Sequence, residues 1–196
     1  MTFIPPIAPK AGVDFTRNFF ELFDIPVSFT IDLASLAERY RSLQHIAHPD
    51  KFASASDQQR RLSVQQSALI NEAYQTLKDP LARAKYLLSL NGLDMSATKD
   101  TIMAPEFLMQ QMELRERLAG IEQEAEPVHA LMQLQDEVGQ TTRQLIDDIA
   151  MQFQKLNTAS ADHQQDLKAI HDKVQRLQFM IKLENELQVM EENLMP

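Results

Sequence analysis

Residues 36–53, LAERYRSLQHIAHPDKFA, and residues 70–90, INEAYQTLKDPLARAKYLLSL, decide the fold. Around the first, Leu33, Leu36, Ala37, Tyr40 and Leu43 recur at the spacing of an amphipathic helix. Asp32 is a good N-cap for it. Arg39 and Arg41 lie off the apolar stripe. Pro49 ends the helix, because a proline disfavours helical geometry at the preceding His48. After a polar loop around Ser54–Ser56, a second long helix is predicted from about Asp57 to Lys78, with Leu62, Leu69, Ala73 and Leu77 on its buried side. Asp79-Pro80 then reads as an N-cap and first helical position, restarting a helix through Tyr86-Leu87-Leu88. Asn91-Gly92 supplies its stop signal. Ahead of all this, a short helix is predicted at Asn18–Asp24, presenting Phe19, Phe20, Leu22 and Phe23 and broken by Pro26. Two antiparallel helices joined by a polar loop bury their facing stripes without any sheet.

Composition supports an all-α protein throughout. The chain has 196 residues, four glycines and no tryptophan, and it is rich in Leu, Met, Gln and Glu. Apolar residues make up 44%, enough to bury a core. The absence of cysteine excludes disulfides, thiolate metal sites and a cysteine nucleophile. It also suits a cytoplasmic location. Charge is unevenly spread. Residues 17–91 hold nine Lys/Arg against eight Asp/Glu, whereas residues 92–196 hold nine against nineteen. The acidic half repels nucleic acid and anionic lipid, so basic or apolar protein partners are expected. No run of about eighteen apolar residues occurs, so no membrane span is predicted. Residues 1–16 lack the basic-then-apolar order of a secretory signal and read as a mobile extension.

Residues 93–104, LDMSATKDTIMA, show no period and read as a linker between a first domain at 17–92 and a second at 105–196. The second region is predicted to hold three helices, at about 105–124, 127–157 and 160–194, with short breaks that suit antiparallel neighbours in a bundle. In the first of them, Phe107, Leu114, Leu118 and Ile121 fall within about 60° of one another and form a core stripe. Leu108, Met109 and Met112 form a second apolar stripe about 150° away, bordered by Glu113 and Glu116. A surface helix needs only one apolar stripe. The second, rimmed by acids, suits a protein partner.

The stretches quoted at the outset resemble J-domain proteins over nearly all of residues 17–91. The resemblance implies that His48, Pro49 and Asp50, at the tip of a helical hairpin, trigger ATP hydrolysis in a DnaK-type chaperone. It further implies that Arg39 and Arg41 make electrostatic contacts with that chaperone and that Lys51 and Phe52 continue the motif. Pro49 would hold the loop stiff, which lowers the entropy lost on docking, and Asp50 could accept a bidentate arginine bond. The family commonly carries an aromatic residue where this chain has Ala47, which bears on the choice of chaperone.

FLMQQMELRERL at 107–118 and KVQRLQFMIKL at 173–183 resemble the client-binding half of the HscB-type co-chaperones of iron–sulfur cluster assembly. KFASAS and DPLARAKYLLSLNG extend that likeness, so that it covers most of residues 17–196. It implies a J-domain packed on a C-terminal three-helix bundle in an L-shaped molecule. It also implies two partners, the cluster scaffold IscU and the chaperone HscA, an ATPase activator rather than an enzyme, and no cofactor. The carried-over scaffold contacts are Leu108, Met109, Met112, Glu113, Glu116 and Phe179. A further acidic contact of the family falls on Gly120 and is missing. Phe179 lies about 180° from the stripe Ile170, Val174, Leu177 and Ile181, which favours exposure. That stripe drifts toward Leu183, Leu187 and Leu194, which leaves burial open. His163 and His171 read as solvated rather than as metal ligands, and Asp147-Asp148 and Glu191-Glu192 as solvated faces. Two other readings stay open, a J-protein serving another client and a helical adaptor in which the tripeptide is only a turn.

Overall fold

The computed structural model describes residues 16–48, 56–95, 105–156 and 162–194. Among them are seven α-helices: α1 (Phe19–Leu22), α2 (Leu33–Ala47), α3 (Asp57–Lys78), α4 (Pro80–Leu90), α5 (Pro105–Gly120), α6 (Pro127–Leu156) and α7 (His163–Leu194). The described residues contain no strand. The fold is all-α, as the composition requires.

The helix ends follow local chemistry. Asn18 caps α1 and Ser56 caps α3, each in a capping box, with Glu21 and Gln59 as the reciprocal partners. The Asp32 carboxylate accepts the Ala34 amide at 2.9 Å and starts α2. Pro80, Pro105 and Pro127 each occupy the first position of a helix, where the missing N–H is harmless. Beyond α4, Gly92 adopts φ +82°, the left-handed conformation in which side chains are strained.

The chain divides into two compact units. The first comprises the described residues through Val27 and those between Ile31 and Asp79; the second comprises Ser28–Thr30 and everything described from Pro80 onward. The division therefore differs from the predicted boundary at 92. α4 belongs with the bundle, because its apolar face, Ala84, Leu87 and Leu88, is buried and the helix packs on α7.

In the first unit α3 packs against both α1 and α2. Phe20, Phe23, Leu36, Ile70, Ala73 and Leu77 are buried there. Tyr40 and Tyr74 stack across the hairpin with centroids 4.1 Å apart. Polar groups continue the seam: Tyr40 Oη donates to Asn71 Oδ1 at 2.8 Å, and Gln44 Nε2 donates to the same oxygen. The predicted stripes need correcting near the first turns of α2 and α3. Leu33 and Leu62 are exposed, and Ser63 and Gln66 are buried in place of Leu62. Ser63 is tolerated inside because its hydroxyl donates to the Arg60 carbonyl at 2.8 Å.

The second unit is organised by α6 and α7. Gln135 donates to Glu191 at 2.8 Å and Lys173 to Asp148 at 2.5 Å, so early residues of α6 meet late residues of α7 and the helices are antiparallel. Asp148 and Glu191, expected on solvated faces, are thus interhelical ties. α6 buries Leu131, Leu134, Val138, Ile149, Phe153 and Leu156, a three- and four-residue spacing that keeps one face inward. Against α6, Phe29 stacks on Phe153 at 5.7 Å, and the Arg83 guanidinium lies over the Phe29 ring at 4.9 Å. His171 is also buried, its Nδ1 3.4 Å from Asp172 Oδ1, which corrects the expectation of a solvated histidine. It shares the inner face of α7 with Leu167, Ile170 and Val174.

Candidate functional site

Two places in the chain carried functional expectations, and each is built by one helix. The first is the end of α2. His48 follows the last helical residue with φ −60° and ψ 126°, the extended geometry that a following proline imposes, and it is exposed. Pro49, Asp50, Lys51 and Phe52 lie outside the described residues. Ala47 is buried.

The two arginines expected beside this loop have different fates. Arg41 is exposed. Arg39 is only 14% exposed, and its Nη1 donates to the Phe23 carbonyl at 2.9 Å and to the Asp24 carboxylate at 3.0 Å. Arg39 is therefore a tie between α2 and the end of α1 rather than a surface docking cation. The reason is local. Asp24, at positive φ just after α1, and the preceding carbonyl share the one guanidinium nitrogen Nη1.

The second place is α5. Its inner face is formed by Phe107 and Leu114, seven residues apart, continued by Ile121 in a 3-10 turn (Ile121–Gln123). All three belong to one core with Leu131, Leu134, Val138 and residues of α7. The opposite face holds Leu108, Met109 and Met112, which are 51%, 63% and 64% exposed. Glu113 and Glu116 are exposed beside them. The second apolar stripe read from the sequence is thus a solvent-facing patch with an acidic border, as its angular position implies.

Phe179 is not part of that open patch. It is 9% exposed and belongs to the core. Its ring meets Phe107 edge to face at 5.9 Å, with Arg115 of α5 over it at 5.7 Å. Of the two outcomes left open for Phe179, burial is the one observed. The signal that identifies its burial was present in the four-residue series Phe179, Leu183, Leu187, all buried. Arg115 and Arg176, which lie over the two rings, were not singled out in the sequence, since nothing local reveals which helices pair.

Near the far end of α5, Arg117 pairs with Glu137 of α6 at 2.8 Å. The Glu137 carboxylate, through that hydrogen bond, raises the guanidinium above its ordinary pKa. Leu118, Val189 and Met190 line an open, mainly apolar groove of about 520 Å³ there, edged by Glu122 and Lys182. Among the described residues no group of three or more His, Asp or Glu could hold a metal ion, and no helix is long and apolar enough to cross a membrane.

Comparison with known proteins places these features in a family. Residues 103–188 match the HSCB C-terminal oligomerisation domain. A co-chaperone protein HscB homolog of Shewanella sp. (strain MR-4) is 44% identical over 178 residues, covering 91% of this chain and 99% of the relative. The chaperone HscB from Vibrio cholerae superposes with a TM-score of 0.79 at 40% identity, over 91% of this chain and all of that one. The crystal structure of human co-chaperone protein HscB gives 0.80 at 30% identity, over 92% and 85%. A helical hairpin whose first helix ends in an exposed histidine, followed by a three-helix bundle with matches of this extent, defines a co-chaperone. The chain belongs to the HscB family.

Proposed function

We propose that this co-chaperone serves iron–sulfur cluster assembly. It binds the scaffold protein IscU through α5, presents it to the DnaK-type chaperone HscA, and stimulates that chaperone's ATPase through His48, Pro49 and Asp50. The observation that carries this reading is the exposed stripe Leu108, Met109, Met112, which the bundle's own packing leaves unused. An apolar patch bordered by Glu113 and Glu116 offers a partner both desolvation and a charged rim, the usual anatomy of a protein interface. Fully burying each such side chain contributes about 1.5–3 kcal/mol before the costs of association. Three of them support a specific but reversible complex. The exposure of Arg41 supports it as a docking cation for the chaperone. An exposed ion pair there contributes about 0.2–1 kcal/mol, so chaperone docking is weak, salt-sensitive and dependent on the scaffold as a second tether.

On this reading the protein is an activator without an active site or cofactor of its own, acting in the cytoplasm. The test is the steady-state ATPase rate of purified HscA with this protein, with and without IscU. Stimulation that rises with IscU and disappears in His48→Gln is the expected result. No stimulation would leave a helical adaptor as the better description. Stimulation without any affinity for IscU would point to another client.

A further inference from the structure

We propose that Met109 and Met112 form an oxidation site, at which a peroxide converts two thioethers to sulfoxides and thereby weakens scaffold binding. The proposal rests on the reading of α5 as the scaffold-docking face. The chain has ten methionines and no cysteine, so thioethers are its only oxidisable sulfurs. Met109 and Met112 are the most exposed large apolar side chains among the described residues, at 63% and 64%. Met180, by contrast, is buried in the core. The pair sits three residues apart on one helix, so both sulfurs fall on the same surface.

The chemistry balances with the peroxide alone. A sulfur lone pair attacks the distal peroxide oxygen, the O–O bond breaks and an S–O bond forms. The thioether loses two electrons, and the peroxide is reduced to water or an alcohol. The product is a polar, chiral side chain that methionine sulfoxide reductases return to the thioether. Its position gives the change its effect. Each sulfoxide adds a hydrogen-bond acceptor and no donor, on a patch already bordered by the carboxylates of Glu113 and Glu116. A partner that covers the patch with apolar groups must then bury an unpaired acceptor, which disfavours the complex. The fold is untouched, because neither side chain belongs to the core.

The test treats the full chain with hydrogen peroxide, removes the peroxide before mixing, and measures affinity for purified IscU by calorimetry beside peptide mapping. One added oxygen on each of Met109 and Met112 is expected, with binding weakened at least about tenfold and regained after treatment with the reductase. Each variant is scored by its own ratio of affinities before and after peroxide. Met109→Leu plus Met112→Leu should lose the peroxide effect, whereas Met132→Leu plus Met151→Leu should keep it. Full oxidation at both positions without change in affinity overturns the proposal, as does an equal drop in the Met109/Met112 variant. If the untreated chain fails to bind IscU, the docking reading falls and this one with it. A normal starting affinity combined with any of the other negative results counts against oxidation alone.

Discussion

The rings of Phe107 and Phe179 meet edge to face, with centroids 5.9 Å apart and planes at 90°. Each ring is also covered by an arginine from the helix of the other: Arg176 of α7 lies over Phe107, and Arg115 of α5 over Phe179. The joint between α5 and α7 is thus braced twice, by an aromatic pair of about 0.5–1.5 kcal/mol beyond its area and by two cation–π contacts of about 0.5–1 kcal/mol each.

Phe179→Ala is therefore expected to destabilise the bundle by about 3–5 kcal/mol, read as a lower urea midpoint. Leu108→Ala should change stability by less than about 0.5 kcal/mol, because its side chain is half exposed. Equal stability of Phe179→Ala and the parent chain would contradict the packing described. It follows that any loss of scaffold binding in Phe179→Ala must be interpreted together with its stability.

The double variant Leu108→Ala and Met112→Ala tests the patch itself. Its affinity for IscU is expected to fall by about tenfold or more, with an unchanged thermal midpoint. Calorimetric titration checks the first and circular dichroism the second. An unaltered Kd would remove α5 from the docking surface.

Arg39 and Arg41 are two positions apart and should behave oppositely. Arg39→Ala leaves the part-buried Phe23 carbonyl without its donor, at about 1–3 kcal/mol of stability, while the exposed Asp24 carboxylate turns to water. Arg41→Ala should leave the unfolding curve in place and reduce HscA stimulation at low salt. Stimulation by Arg41→Ala that matched the parent at every salt concentration would argue against a docking role.

Gly92 supplies a test of backbone strain without packing. A methyl group added there meets nothing within 4 Å, so Gly92→Ala reports the left-handed conformation alone. The expected loss is about 1–2 kcal/mol, smaller in Gly92→Asn because asparagine tolerates that region better. Thermal melts of the two variants decide it, and an alanine variant as stable as the parent would be the wrong outcome.

The helices were legible because their ends are written in side chains that act on their own neighbours. Asp32, Pro80 and Pro127 need no tertiary partner to start a helix, and α3 runs from Asp57 to Lys78 as predicted. The exposed stripe of α5 was legible for a related reason, since two apolar faces on one helix cannot both belong to a single core. What was not legible depended on which helix lies alongside which. Arg39 looks like any cation outside an apolar stripe until Asp24 and the Phe23 carbonyl turn toward it. Phe179 lies opposite Ile170 and Val174 on α7, yet the later part of that helix packs against α5 as well as α6 and so buries a second face. Leu62 lost its place to Ser63 and Gln66 because the end of a hairpin need not bury its most apolar residue.

Ser28–Thr30 and α4 belong to the second unit although each adjoins, in sequence, helices of the first. The consequence is for modularity. An expression boundary drawn in 93–104, the obvious place by composition, would strip Ala84, Leu87 and Leu88 from α7 and leave Phe153 without the ring of Phe29. Neither fragment would carry its full complement of apolar partners. The halves of this protein are thus poor cassettes. A bundle that keeps its own packing must therefore be cut to include Ser28–Thr30 and α4, segments that lie on either side of the hairpin helices in sequence.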